Sequence, residues 1–207
     1  MTPDPMAPDP VDPHPEAPDP VAPDPLASWK RFLPFLPSLL LGAVGGVWVA
    51  LSPPRFTRDP SLPLVLVSAA ALALLLLGAA WLLERRLPSF RHASRLLERA
   101  LARLRLSPLA ALLLAASTAA GEELFFRGGL MQFAGLWGQA LLFGALHPVD
   151  RRGWSYTLFT FVAGLLFGYA VLVTGSLWTA VLAHFAVNLH GLLSGRRRRA
   201  GPQRRLG

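Results

Sequence analysis

The chain has 207 residues, no cysteine and a formal net charge of +8. Hydrophobic residues make up 53% and charged residues only 15%, against about 25% charged in ordinary soluble domains, which argues against a soluble globule. The lack of cysteine excludes a disulfide framework, a thiol nucleophile and thiolate-held zinc or iron–sulfur centres.

In chain order, residues 1–28 come first. They hold five Asp and one Glu and neither Lys nor Arg, and Pro-Asp-Pro recurs at Pro3–Pro5, Pro8–Pro10, Pro18–Pro20 and Pro23–Pro25. Fixed φ angles, missing donors and little apolar surface predict an extended, disordered tail. The basic residues all follow it. They sit between long apolar runs, the pattern of cytoplasmic loops in a membrane protein rather than of a nucleic-acid surface.

Residues 29–106 are expected to hold two transmembrane helices, 32–51 and 62–83, each long enough for a hydrocarbon core of roughly 30 Å. An amphipathic segment, 84–105, follows. Phe90, Ala93, Leu97, Leu101 and Leu104 share one helical face, and Arg91, Arg95, Arg99 and Arg103 take the opposite one. This predicts a helix at an anionic membrane surface. Residues 107–195 supply four further spans, 107–127, 130–147, 155–173 and 177–195, the last two divided by a turn at Thr174-Gly175-Ser176. Residues 196–207 form a basic tail. The expected fold is therefore all-α: a polytopic transmembrane bundle of about six spans. The positive-inside rule puts both termini in the cytoplasm of a multi-pass cell-membrane protein.

Ionisable groups at membrane depth are costly, so each needs a reason. The spans contain Glu122, Glu123, Arg127, His147 and His184, with Asn188 as a polar companion. Glu123 and Arg127 are i,i+4 and can neutralise each other, whereas Glu122 faces away with no partner on its own helix. His184 and Asn188 share a face, as do Phe143 and His147. Counting helical rise puts Glu122 and His184 at nearly the same depth. His147 joins that level only if the third helix continues past Arg127 and the fourth is short, starting near Trp137. One carboxylate with two imidazoles can activate water, hold a divalent metal or stabilise an oxyanion. Structural ion pairing, interhelical hydrogen bonding and a proton pathway are the competing uses of the same residues.

Glu122-Glu123-x-x-x-Arg127, Phe143-x-x-x-His147 and His184-x-x-x-Asn188 resemble, in order, the three motifs of the CPBP family, the CAAX prenyl protease and bacteriocin-processing (Abi) group of intramembrane proteases. The resemblance implies an endopeptidase acting on membrane-embedded or lipid-anchored proteins or peptides. It implies Glu122 as general base, His147 and His184 as metal ligands or oxyanion donors, Asn188 as a stabiliser of the intermediate, and Glu123, Arg127 and Phe143 in support. A divalent metal such as zinc, if used, would sit on His147, His184 and Glu122. Asn is a poor zinc ligand, which weakens the tetrahedral zinc reading. The alternative function is a non-catalytic immunity or scaffold protein of the same fold. A small transporter is disfavoured, because no inverted repeat is evident.

Overall fold

The computed structural model describes residues 33–54 and 60–200, with side chains through Ser194. The expected tail 1–28, the loop arginines Arg55 and Arg58 and, apart from the backbone of 196–200, the basic tail 196–207 lie outside the described residues.

Among the described residues every regular element is helical. A 3₁₀ turn, Leu33–Phe35, leads into α1 (Leu36–Leu51), followed by α2 (Leu62–Arg86) and the amphipathic α3 (Pro88–Arg103). Then come α4 (Pro108–Glu123), a wide π-helical winding (Leu124–Leu130) and α5 (Met131–Ala145). A 3₁₀ turn, Arg151–Gly153, precedes α6 (Trp154–Thr174) and α7 (Leu177–Ala200). Sequence punctuation accounts for several boundaries. Proline occupies the first turn of α1, α2, α3 and α4, where its missing N–H costs nothing. Ser107 Oγ accepts the Ala110 N–H at 3.1 Å and caps α4. Gly175, at φ 68°, closes α6 by donating its N–H to the Val171 carbonyl at 2.8 Å, which places the expected turn.

Among the described residues, five helical stretches are long and apolar enough to cross a membrane: Leu33–Leu51, Leu62–Arg86, Pro108–Ala145, Arg151–Thr174 and Leu177–Ser194. The third and fourth expected spans thus lie in one helical run. Its break falls not between 127 and 130 but at Gly135, whose φ of 67° and ψ of −176° only glycine adopts readily. Gly128 and Gly129 do not turn the chain. They let α1 come close: a Cβ on Gly128 would stand 2.7 Å from Val49, and one on Gly129 2.8 Å from the Trp48 ring. After Gly135 the helix resumes at Leu136 as a segment about 15 Å long, too short to cross a bilayer. This is the short fourth helix that His147 required.

Two apolar clusters hold the bundle together. The larger joins Ala69, Leu72 and Leu76 of α2 with Phe167 and Val171 of α6 and Ala180 and Ala183 of α7. The smaller joins Ala111, Leu114 and Ala115 of α4 with Leu192 of α7. Large side chains that point away from these clusters, such as Leu40, Val47, Val67, Leu74 and Trp178, are exposed. That outer surface suits lipid and would be a liability in water.

The amphipathic helix is docked rather than free. Phe90 and Ala93 are buried, and the Phe90 ring packs on Tyr156 and Phe159 of α6 at 5.9 and 5.3 Å. Ser89 and Ser155 share a 2.8 Å hydroxyl contact, and His92 Nε2 lies 2.8 Å from Asp150 Oδ2. Arg91 departs from the expected basic face. Its Nε donates to the Glu84 carbonyl at 2.9 Å and Nη2 to the Arg85 carbonyl at 2.7 Å, capping the end of α2. Arg95, Arg99 and Arg103 remain exposed.

Candidate active site

The α4–π junction carries Glu122 and Glu123 side by side, and the helical winding sends them in different directions. Glu123 is fully buried. Its Oε1 accepts from Arg127 Nη1 at 2.9 Å and from His184 Nδ1 at 2.8 Å. Arg127 is itself fully buried, and its Nη2 donates to the Gly164 carbonyl at 3.2 Å. The guanidinium lies 4.5 Å from the Phe143 ring centre, 5.2 Å from Phe167 and 5.7 Å from Phe126. Three aromatic faces and a carboxylate are how a buried cation is made tolerable.

Glu122 has a different environment. Its Oε2, like that of Glu123, is buried without a hydrogen-bond partner among the described residues, but neither of its oxygens is held by a cation. It faces His147 Nε2 at 3.8 Å and His184 Nε2 at 3.9 Å. Both separations are too long for direct hydrogen bonds and leave room for a bridging water. The other nitrogen of each ring is engaged. His147 Nδ1 donates to the Phe143 carbonyl at 2.6 Å, and His184 Nδ1 donates to Glu123. In the neutral rings both Nε2 atoms therefore carry the lone pair and point at Glu122. The His184 ring is further fixed by stacking on Phe167 at 5.0 Å.

The route by which His147 reaches Glu122 follows from the break at Gly135. The chain runs about 20 Å past Glu122 before the break, and the segment from Leu136 to His147 returns about 18 Å. Only a return helix antiparallel to α4 brings the imidazole within 3.8 Å of the carboxylate. The Thr157 hydroxyl holds the His147 carbonyl at 3.3 Å. With a side chain 30% exposed, against 7% for His184, His147 marks the side from which the site is reached.

Of the residues expected from the sequence, Glu122, Glu123, Arg127, Phe143, His147 and His184 come together. Asn188 lies one turn from His184 on α7, half-buried, and has no hydrogen-bond partner among the described residues. Sequence reasoning missed Phe126, Gln139, Gly164 and Phe167. Gln139 is completely buried in an apolar run, so its rarity at membrane depth was a usable signal. A backbone carbonyl such as that of Gly164 leaves none.

Whether the donors fit a metal is a matter of spacing. Two ligands on a tetrahedral zinc with bonds of about 2.1 Å stand about 3.4 Å apart. The Glu122–His147 and Glu122–His184 separations exceed that. Among the described residues no group of three His, Cys, Asp or Glu is close enough to hold a metal ion. The arrangement as it stands does not fit a tetrahedral metal centre.

Residues 104–190 match the family model described as type II CAAX prenyl endopeptidase Rce1-like. The chain is also 35% identical over 71 residues to the uncharacterized protein YpbD of Bacillus subtilis (strain 168). That stretch is 32% of this chain and 35% of the relative, so the match spans about a third of the relative's length. No solved structure matches. The matched stretch runs from just before α4 into α7 and includes every residue of the three motifs; over residues 104–190 the chain is similar to the Rce1-like kind.

Proposed function

We propose that the protein is an intramembrane endopeptidase in which Glu122 activates water against a peptide bond of a membrane-embedded or lipid-anchored protein or peptide. The observation that carries this reading is the unpartnered Glu122 Oε2, facing two imidazole Nε2 atoms at 3.8 and 3.9 Å. A water between them can donate one proton to Glu122 Oε2 and the other to one imidazole Nε2. Glu122 takes one of its protons as the oxygen attacks the carbonyl carbon. The carbon–nitrogen bond then breaks, and the proton passes to the leaving nitrogen. In the neutral rings the Nε2 atoms accept, so an imidazole can donate to the developing oxyanion only once it is protonated at Nε2, and the Asn188 amide lies on the same face as His184. The Glu123 carboxylate and the Phe143 carbonyl hold the two rings in this orientation. No step needs a metal, so protein freed of bound metal is expected to keep its activity.

The test begins with Glu122→Gln in native membranes. Peptides that accumulate uncut with the variant, and appear as cleaved termini with wild type, are the substrates. Identical termini in both samples would favour the scaffold reading.

We further propose that the end of the bundle bearing α3 faces the cytoplasm, with both termini on that side. The His92–Asp150 contact puts the exposed Arg95, Arg99 and Arg103 at the same end as Arg151 and Arg152. Reporters fused after Gly195 and after Ser176 should give opposite signals. Matching signals would overturn this orientation.

A further inference from the structure

We propose that Gln139 is a positioning residue that clamps the return helix to α6 through a carbonyl it shares with Arg127, and so sets where His147 meets Glu122. The proposal rests on the peptidase reading of Glu122 and His147.

Gln139 lies outside the three motifs and is 0% exposed. Its Nε2 donates to the Leu136 carbonyl and to the Gly164 carbonyl, both at 3.0 Å. Both partners are acceptors, so the amide cannot be turned round. Its Oε1 is left buried without a partner. An apolar residue would fill this place without that penalty, so the N–H₂ end is what the site requires.

The Gly164 carbonyl also takes Arg127 Nη2 at 3.2 Å. One backbone atom of α6 thus holds both the guanidinium that orients Glu123 and the amide that holds the return helix. Two glycines make the slot. A Cβ on Gly168 would stand 2.6 Å from Leu136 Cδ1 and 2.8 Å from Gln139 Nε2, and one on Gly164 3.1 Å from the Ala140 Cα. On the return helix Gln139 and Phe143 stand four residues apart on one face, and His147, two residues past its end, keeps the same interval. Gln139 meets α6, Phe143 lies against the Arg127 guanidinium at 4.5 Å, and His147 reaches Glu122 at 3.8 Å. A slip at the first position is carried to the third.

The experiment compares wild type with Gln139→Met, which keeps an unbranched side chain of similar length and removes both donors. Amide hydrogen exchange in detergent and steady-state kinetics on a peptide identified by Glu122→Gln trapping are read together. The clamp predicts exchange of residues 136–147 roughly tenfold faster, with α2 and α7 unchanged. It predicts kcat down by roughly tenfold with KM within about twofold, because the substrate is still bound but the imidazole is misplaced. A second variant, Gln139→Leu, also removes both donors and must move both readings the same way; it decides the matter if Gln139→Met does not fold. Exchange over 136–147 and kcat both unchanged in a folded variant would overturn the clamp. If Glu122→Gln itself cleaves like wild type, the peptidase reading falls, while the exchange result still decides whether Gln139 holds the helix.

Discussion

Glu122 and Glu123 are neighbours in the chain and opposites in surroundings. Glu123 is fully buried: its Oε1 takes an arginine and an imidazole, its Oε2 has no hydrogen-bond partner among the described residues, and three phenyl rings enclose that arginine. Around Glu122 the nearest polar atoms stand back at 3.8 and 3.9 Å, and the side chain keeps 12% exposure. The first region is a closed network that holds helices together. The second is an open triangle with space for a reactant. His184 belongs to both, with Nδ1 in the network and Nε2 in the triangle. A membrane protein can thus use the stability of one buried ion pair to fix the geometry of a neighbouring group that is left unpaired.

The sharpest way to break this contrast is to open the closed region. Arg127→Met keeps apolar volume against the three phenyl rings but leaves the Glu123 carboxylate buried without its cation. Stability should fall by about 3–5 kcal/mol, read as a lower melting temperature in detergent, with activity lost alongside it. The same change in the open region should behave otherwise. Glu122→Gln should lower turnover by on the order of 10², about 2.7 kcal/mol of transition-state stabilisation, without loss of melting temperature.

The chain break that makes the triangle can be probed next. Gly135→Ala forces a Cβ onto a backbone with φ 67°. It should cost about 1–3 kcal/mol and reduce cleavage in proportion as the return helix shifts. A melting curve that matches wild type would mean that the turn can be remade without glycine.

The smallest effect belongs to the latch between α3 and the loop after His147. The hydrogen bond from His92, helped by the Gly153 N–H, holds the Asp150 carboxyl below the usual carboxylate range. A depressed carboxyl stabilises the fold above its unfolded-state pKa and loses that contribution as pH falls through the folded value. Asp150→Asn should therefore melt slightly below wild type near neutral pH, and the difference should vanish in acid. A constant difference across the range would assign the effect to something other than this proton.

Much of the fold was legible before the structure. Long apolar runs and Gly175 located α1, α2, α6 and α7 to within a few residues, because bilayer thickness constrains length. The division of α4 from α5 was not, because Gly128, Gly129 and Gly135 look alike in sequence. Two of them serve close packing against α1 and one serves a turn, a difference that depends on what stands opposite. Within the site, the cost of charge in a membrane picked out Glu122, Glu123, Arg127, His147 and His184. The link between the two regions, His184 Nδ1 to Glu123, was missed, because pairing the histidine with Glu122 by depth says nothing of where its other nitrogen points. The aromatic enclosure of Arg127 was hidden among the 12 phenylalanines of an apolar chain.

The two adjacent glutamates divide chemistry from scaffolding, and one side-by-side measurement tests that division. Glu122→Gln and Glu123→Gln are purified in the same detergent, and each is assayed for cleavage of one trapped substrate and for thermal unfolding. Glu122→Gln is expected to melt like wild type and to cleave on the order of 10² more slowly, while Glu123→Gln melts lower because it strands the Arg127 cation. Wild-type cleavage by a folded Glu122→Gln would contradict it.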